Sequence, residues 1–300
     1  MELWIPITIG AAFFQNLRSA LQKYLKGRLS TNGATYARFV FALPFMIAYA
    51  LFLAGPAGMP VPELNLRYLL FAVLGASTQI VATFLLIHLF SYKNFAVGTT
   101  YSKTEVVQVA IFGLLILGDR MPPLALAGIL VSLVGVMLMS AGRGPVTVRA
   151  LLTGWTERTA LIGIASGSFF GMSIVSYRAA ALSLEGAPFL MQAAMVLVCA
   201  TAFQTLAMGL WIAAREPREF ARLMRAAPVA IVVGLSGMLA SVMWLTAATL
   251  QNAAYVRAFG QVELLFMFAA SVLFFRERPG WLEVAGILLV AGGIVMLLLA

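Results

Sequence analysis

Two glutamates, Glu105 and Glu263, stand near the middle of long apolar segments and 158 positions apart. A charge in hydrocarbon costs a few kcal/mol or more, so it is retained where a partner, water or a task requires it. Acids so placed can bind a cationic group, exchange protons, or pair with a buried base. Lys103 lies two residues before Glu105, about 200° around a helix, so the two cannot share a face and need different partners. Tyr101, Glu105 and Gln108 are spaced by four and three and fall on one stripe. The Glu263 stripe includes Phe259, Gly260 and Phe266, an aromatic wall around one acid. With Gln79, Trp244 and Gln261, these polar residues form the candidate ligand-binding or proton-exchanging set, and Arg18, Arg38, Arg178 and Arg257 are possible members. A structural ion pair holding helices together is the alternative for the glutamates.

The remaining polar residues divide by depth. Arg18, Arg38, Arg178 and Arg257 lie within a few residues of segment ends, where snorkelling to the headgroups explains them. Lys103 lies deeper, and its ammonium must travel further to reach water, so a functional role stands beside snorkelling there. If most of these five cations face one cavity, their excess over two carboxylates suits a carboxylate or phosphate ligand. Interhelical hydrogen bonding accounts for Gln15, Asn16, Gln192 and Gln204, whereas Gln79 clusters with Ser77 and Thr78 in mid-segment. His88, the single histidine, falls near a segment end and reads as interfacial. One histidine and one cysteine, Cys199, leave no parts for a disulfide, a metal cluster or a triad. Neither a phosphate-binding Walker run nor a His-Glu-x-x-His pair occurs. No catalytic residue, metal or cofactor is therefore expected, and energy must come from a gradient.

The elements that position these residues follow from composition. With 62% hydrophobic and 10% charged residues, and apolar runs of about 20 residues that match a bilayer, the chain is an all-α membrane protein. Ten spans are predicted, at 3–22, 34–54, 68–90, 95–118, 122–141, 160–181, 188–214, 228–250, 253–275 and 281–300. The first is no signal peptide, since no basic region precedes it and it carries Gln15, Asn16 and Arg18. Lys23, Lys26, Arg28, Lys93, Arg143, Arg149, Arg158, Arg215, Arg218, Arg222, Arg225, Arg276 and Arg278 fall in or beside odd-numbered connections. Only Arg67 and Arg120 fall in even ones. The positive-inside rule makes the odd connections cytoplasmic and puts both termini outside. The net charge of +9 thus reports orientation; no aromatic-interleaved basic face for nucleic acid exists.

Residues 95–140 lie on 253–298 without a gap, pairing Glu105 with Glu263, Arg120 with Arg278, Gly128 with Gly286 and Gly135 with Gly293. The chain is a duplication, with one five-helix repeat over 1–142 and a second over 158–300. Five spans is an odd number, so the copies are expected as inverted repeats with a midplane site between them. Gly163, Gly167 and Gly171, Gly128 with Ser132 and Gly135, and Gly286 with Gly293 read as close-packing stripes. The fifth and tenth helices are thereby scaffold, and the site belongs to the other eight.

The run from Phe95 through Gly118-Asp119-Arg120 into Gly128-Ile129 and Gly135, repeated as Ala253 through Arg276-Glu277-Arg278 into Gly286-Ile287 and Gly293, resembles the paired EamA-type units of the drug/metabolite transporter superfamily. Gly163 to Gly167 leading to Tyr177-Arg178, and Arg38, extend the resemblance over nearly the whole chain. It implies ten helices and a secondary transporter, an exporter of a small polar or amphipathic metabolite such as an amino acid, in a bacterial inner membrane. It also implies cytoplasmic termini, against the charge count. The family often has Glu-Pro in the fourth or ninth helix; here Val106 follows Glu105 and Leu264 follows Glu263, so no helix break is expected there. A non-cycling membrane scaffold or lipid-binding subunit is the competing reading, and an ion channel ranks last. The lipid bilayer and a small-molecule substrate are the expected partners.

Overall fold

The computed structural model describes residues 2–92, 95–142, 156–273 and 279–300. Lys93, Arg143, Arg149 and the Arg276-Glu277-Arg278 motif lie outside the described residues. Helices account for the fold, and no strand occurs among the described residues. The first half comprises α1 (Trp4–Lys26), α2 (Thr31–Val40), α3 (Leu43–Ala54), α4 (Leu66–Leu89), α5 (Phe95–Ser102), α6 (Glu105–Leu117) and α7 (Pro123–Gly142). The second comprises α8 (Arg158–Leu182), α9 (Phe189–Arg215), α10 (Arg218–Arg225), α11 (Ala227–Leu250), α12 (Ala253–Phe259), α13 (Val262–Leu273) and α14 (Trp281–Leu298).

Among the described residues, eight stretches are long and apolar enough to cross a membrane, including Thr31–Ala54 and Gly98–Leu117, which each run across a break. The expected ten spans reduce to eight by this measure. Of the other two, α1 carries Arg18, Lys23 and Lys26 in one helix, and the ninth is divided into α12 and α13. Large apolar side chains such as Leu115, Leu210 and Leu288 are exposed on the outside of the bundle, as a lipid-facing surface requires.

The halves interlock through three helix pairs, α1 with α11, α4 with α8 and α7 with α14. In the last pair the contacts are reciprocal. A Cβ on Gly128 would stand 2.7 Å from the Gly293 carbonyl oxygen, and one on Gly135 would stand 2.6 Å from that of Gly286. Since Gly128 and Gly135 occupy the repeat positions of Gly286 and Gly293, each site meets the partner of the other, as a two-fold axis between the helices demands. Only hydrogen in place of a side chain permits this approach.

The fourth and ninth helices are both interrupted immediately before their glutamates, contrary to the expectation from the missing proline. Around Lys103 the backbone tightens to i→i−3 bonds: Lys103 N–H donates to Thr100 at 3.0 Å and Thr104 N–H to Tyr101 at 3.1 Å. Ser102 Oγ donates to the Thr99 carbonyl and Thr104 Oγ1 to the Tyr101 carbonyl, at 2.8 and 2.7 Å. Hydroxyls that bond local carbonyls compete with the helical ladder, and three-residue turns mark such interruptions. In the second copy Gly260 starts the same tightening, with Gln261 N–H donating to Ala258 at 3.2 Å and Leu264 N–H to Gln261 at 2.9 Å. Both glutamates therefore sit in the first turn of a half-helix, where the peptide dipoles favour negative charge.

One element escaped the sequence reading. Residues 218–225, treated as a basic connection, form the amphipathic α10, with Leu223 and Glu219 buried. Glu219 accepts the Ser30 N–H at 3.0 Å. Glu216 accepts from Ser30 Oγ and Asn32 Nδ2, at 2.7 and 2.6 Å. Two acids thus cap the N-terminus of α2, tying the first connection to the seventh.

Candidate functional site

The broken helices bring the two glutamates together with cations from the opposite half. Lys103 Nζ donates to Glu263 Oε1 at 2.8 Å, and Asn16 Nδ2 donates to Glu263 Oε2 at 2.9 Å. Arg257 Nε lies 3.1 Å from Glu105 Oε1, but the N–H is not aimed at that oxygen, so this is an ion pair without a hydrogen bond. The arrangement is crosswise: each half contributes one acid and one base, and each base serves the acid of the other half. Lys103 and Glu105 do take different partners, as their angular separation requires.

Three voids share Gln15 and Arg257 as walls. The smallest two are each about 30 Å³; one is lined by both glutamates, Lys103 and Gln261, the other by Arg18, Arg38, Gln79 and Tyr177. The third, about 180 Å³, lies between the C-terminal half of α1, the end of α4 and α5, toward the first and third connections. An apolar groove of about 740 Å³ runs between α1 and α13 on the same side, with Glu263 at its floor. Glu263 is 7% exposed and stands between groove and cavity.

The opposite side is sealed. Trp4 of α1 meets Phe259 of α12 edge to face, with ring centroids 5.3 Å apart, within a continuous apolar cluster that also holds Val106, Val109, Ala240 and Ala254. Below the ends of α6 and α11, Arg178 forms an ion pair with Asp119 and donates from Nε to the Ala248 carbonyl at 2.6 Å. This joins the first half to the second at the even-numbered connections.

The two repeat-related seams pack differently. A Cβ on Gly163 would lie 2.1 Å from the Gly98 carbonyl oxygen and one on Gly167 2.7 Å from that of Ser102, so α8 lies directly on the backbone of α5 and α6. In contrast α1 touches α12 and α13 sparsely, and presents Ile9, Phe13 and Leu17 to the groove.

Among the residues expected at the site, Glu105, Glu263, Lys103, Gln79, Trp244 and Gln261 line these voids. Gln79 Oε1 accepts from Gln204 Nε2 at 2.9 Å and Tyr177 O–H at 3.2 Å. Gln261 Oε1 accepts from Ser132 Oγ at 2.6 Å, so the fifth helix, read as pure scaffold, supports the site as well. Trp244 lies under the Arg257 guanidinium, 4.4 Å from ring centroid to Cζ, and its far edge would touch any Cβ on Gly260 at 2.4 Å. Tyr101 is not brought in: it is buried against Ala141 and Ala160. Gln108 follows Glu105 within α6, donates to Thr104 at 3.2 Å and lines none of the three voids; the break before Glu105 takes Tyr101 off the glutamate's stripe.

Snorkelling is overturned for four arginines. Arg18 and Arg38 are each 4% exposed and line the voids; Arg257 and Arg178 pair with Glu105 and Asp119. Proximity to a segment end places a side chain near the headgroups only when it faces lipid, and these face inward. Gln15, Asn16 and Tyr177 were missed as lining residues. His88 does close α4, stacked on Phe84 with Tyr92 Oη 3.3 Å away.

The model of the EamA-like transporter family matches residues 2–141 and again 158–299. The chain belongs to that family, and it is an integral membrane protein of two repeats. A search of curated proteins finds no match. A solved structure titled only "Crystal structure of protein" is similar in fold, with a TM-score of 0.69 and 16% identity over 99% of this chain and 96% of that one.

Proposed function

We propose that the chain is a secondary active transporter, built as ten spans in two inverted repeats of a bacterial inner membrane, that exports a small polar or amphipathic metabolite such as an amino acid. The crosswise pairing of Lys103 with Glu263 and Arg257 with Glu105 carries this reading. Any rocking of one half against the other must stretch both pairs, so the acids are placed to exchange their internal cations for a substrate or a proton during the cycle. A cavity that reaches one side only is half of an alternating-access device. The positive-inside rule assigns that side to the cytoplasm, so the substrate loads from within.

The test is flux in proteoliposomes across a metabolite panel with an imposed pH gradient. Wild-type protein should give saturable, gradient-dependent flux, and Glu105→Gln and Glu263→Gln should each lower it at least tenfold while inserting normally. Unchanged flux with loss of assembly in the variants would favour the scaffold instead.

A further inference from the structure

Resting on that reading, the distribution of charge within the cavity assigns the class of substrate. Four cations, Arg18, Arg38, Lys103 and Arg257, line the three voids that share Gln15 and Arg257, against two carboxylates, Glu105 and Glu263. They are not evenly mixed. Both acids and Lys103 occupy one compartment, whereas the compartment walled by Arg18, Arg38 and Arg257 has no carboxylate among its lining residues.

The three guanidiniums are poorly provided for. Arg18 is buried, its Nε reaches no hydrogen-bond partner, and no ion pair engages it among the described residues. Arg38 donates from Nη1 to Thr83 Oγ1 at 2.7 Å, a neutral acceptor. Arg257 has its misaligned ion pair with Glu105 and the face of Trp244. Each guanidinium offers five N–H donors in a planar fork matched to carboxylate or phosphate. The stems of Arg18 and Arg38 both pass over Gly237, where an added Cβ would stand 3.4 and 3.5 Å from them, so the two forks are held side by side. A buried guanidinium whose Nε has no hydrogen-bond partner, as in Arg18 and Arg257, is costly unless an anion joins it.

We infer that the transported substrate is a small organic anion, its carboxylate or phosphate seated among Arg18, Arg38 and Arg257 and its compact apolar body against Phe170 and Trp244. The arginine compartment, about 30 Å³, admits a group the size of a carboxylate, since a water needs about 10 to 15 Å³ by the same measure. The larger vestibule of about 180 Å³ admits the body. Arrival of the anion gives Arg257 a second anionic partner and frees Glu105, which links binding to the crosswise pairs.

The experiment is binding to the purified full-length protein, measured by calorimetry with four matched probes: phenylacetate, phenyl phosphate, phenylacetamide and phenethylamine. At least one anion should bind tenfold more tightly than the neutral and cationic probes; which anion wins separates a carboxylate from a phosphate substrate. Arg18→Gln should weaken that anion at least tenfold, and Arg18→Lys less. The wild-type comparison stands even if Arg18→Gln misfolds. Binding of neither anion, or equal binding of phenylacetamide or phenethylamine, overturns the assignment. Glutamate-dependent flux of a neutral or cationic solute without anion binding would sink the anion site and leave the transporter reading intact. Anion binding without flux of any solute would do the reverse.

Discussion

The Lys103 to Glu263 pair separates a structural tie from a working one when both partners are replaced together. At 2.8 Å two unit charges attract by about 6 kcal/mol at an effective dielectric constant of about 20. Desolvation opposes this, and the Lys103 side chain is 35% exposed, so solvent screening leaves a coupling of about 2 kcal/mol. Lys103→Met leaves Glu263 buried with Asn16 as its one remaining described donor; Glu263→Leu leaves an uncompensated ammonium. Each is expected to lower stability by about 2 to 3 kcal/mol, and the double variant by about 2 kcal/mol less than the two losses summed. Unfolding in detergent with graded denaturant measures the cycle, and proteoliposome flux is read on the same four proteins. The double variant should fall short of the summed losses by that coupling while flux stays lost, because an apolar pair cannot exchange partners. Additive losses within about 0.5 kcal/mol would refute the pairing. Recovered flux in the double variant would refute the exchange mechanism and leave a structural bridge.

Arg178→Gln removes the ion pair to Asp119 and the bond to Ala248, so amide hydrogen exchange in the last turn of α11 and in α12 should accelerate several-fold. Unchanged exchange would mean the sealed side does not depend on this contact. Gly135→Val drives a side chain into the Gly286 carbonyl and should cost about 2 to 3 kcal/mol of stability, as should Gly286→Val, by thermal unfolding; a neutral result would contradict the close α7 to α14 crossing. Gly260→Ala places a methyl 2.4 Å from the Trp244 ring, and the indole must shift by about 1 Å to restore ordinary contact. It should therefore weaken anion binding at least tenfold with little change in unfolding temperature.

The helices were legible because length and apolarity are one-dimensional signals, and the segment limits read from the residues agree with the described helices to within a few positions. The repeat was legible for a related reason: Gly128, Gly135, Gly286 and Gly293 are equivalent by count, and their reciprocal contact follows from symmetry. What failed was direction around the axis. Arg18 and Arg38 occupy depths at which lipid-facing arginines also occur, and nothing in their spacing says that they turn inward. Tyr101 failed because periodicity assumes a continuous helix, and one tightened turn at Lys103 rotates everything before it. The missing proline misled because hydroxyls at Ser102 and Thr104, and a glycine at 260, interrupt a helix by other means. Pairing across halves depends on which helices touch, so Arg257 with Glu105 had no local signature.

Two identical inverted copies would leave a molecule indifferent to which side it opens, because its two half-states would mirror one another in energy. Here the copies have diverged where that balance is set. In α8 the glycines at 163 and 167 let the backbone of α5 and α6 come into direct contact, while α1 offers Ile9 and Phe13 to α13 across a groove. Arg178 adds an ionic contact at the closed side. Opposing it, Glu216 and Glu219 hold α10 to the first connection on the open side, but this tie lies beside the cavity and does not cross its mouth. The Arg178 contact favours the state that is shut at the even-numbered connections, so the resting protein should expose its cavity at the odd-numbered ones. Reversal then requires free energy from the ligand: it must bind the other state more tightly, because a ligand with equal affinity for both shifts nothing. Arg257 can respond at once to an arriving anion and to the opposite half, because it meets Glu105 of the first repeat on one side and the face of Trp244 on the other.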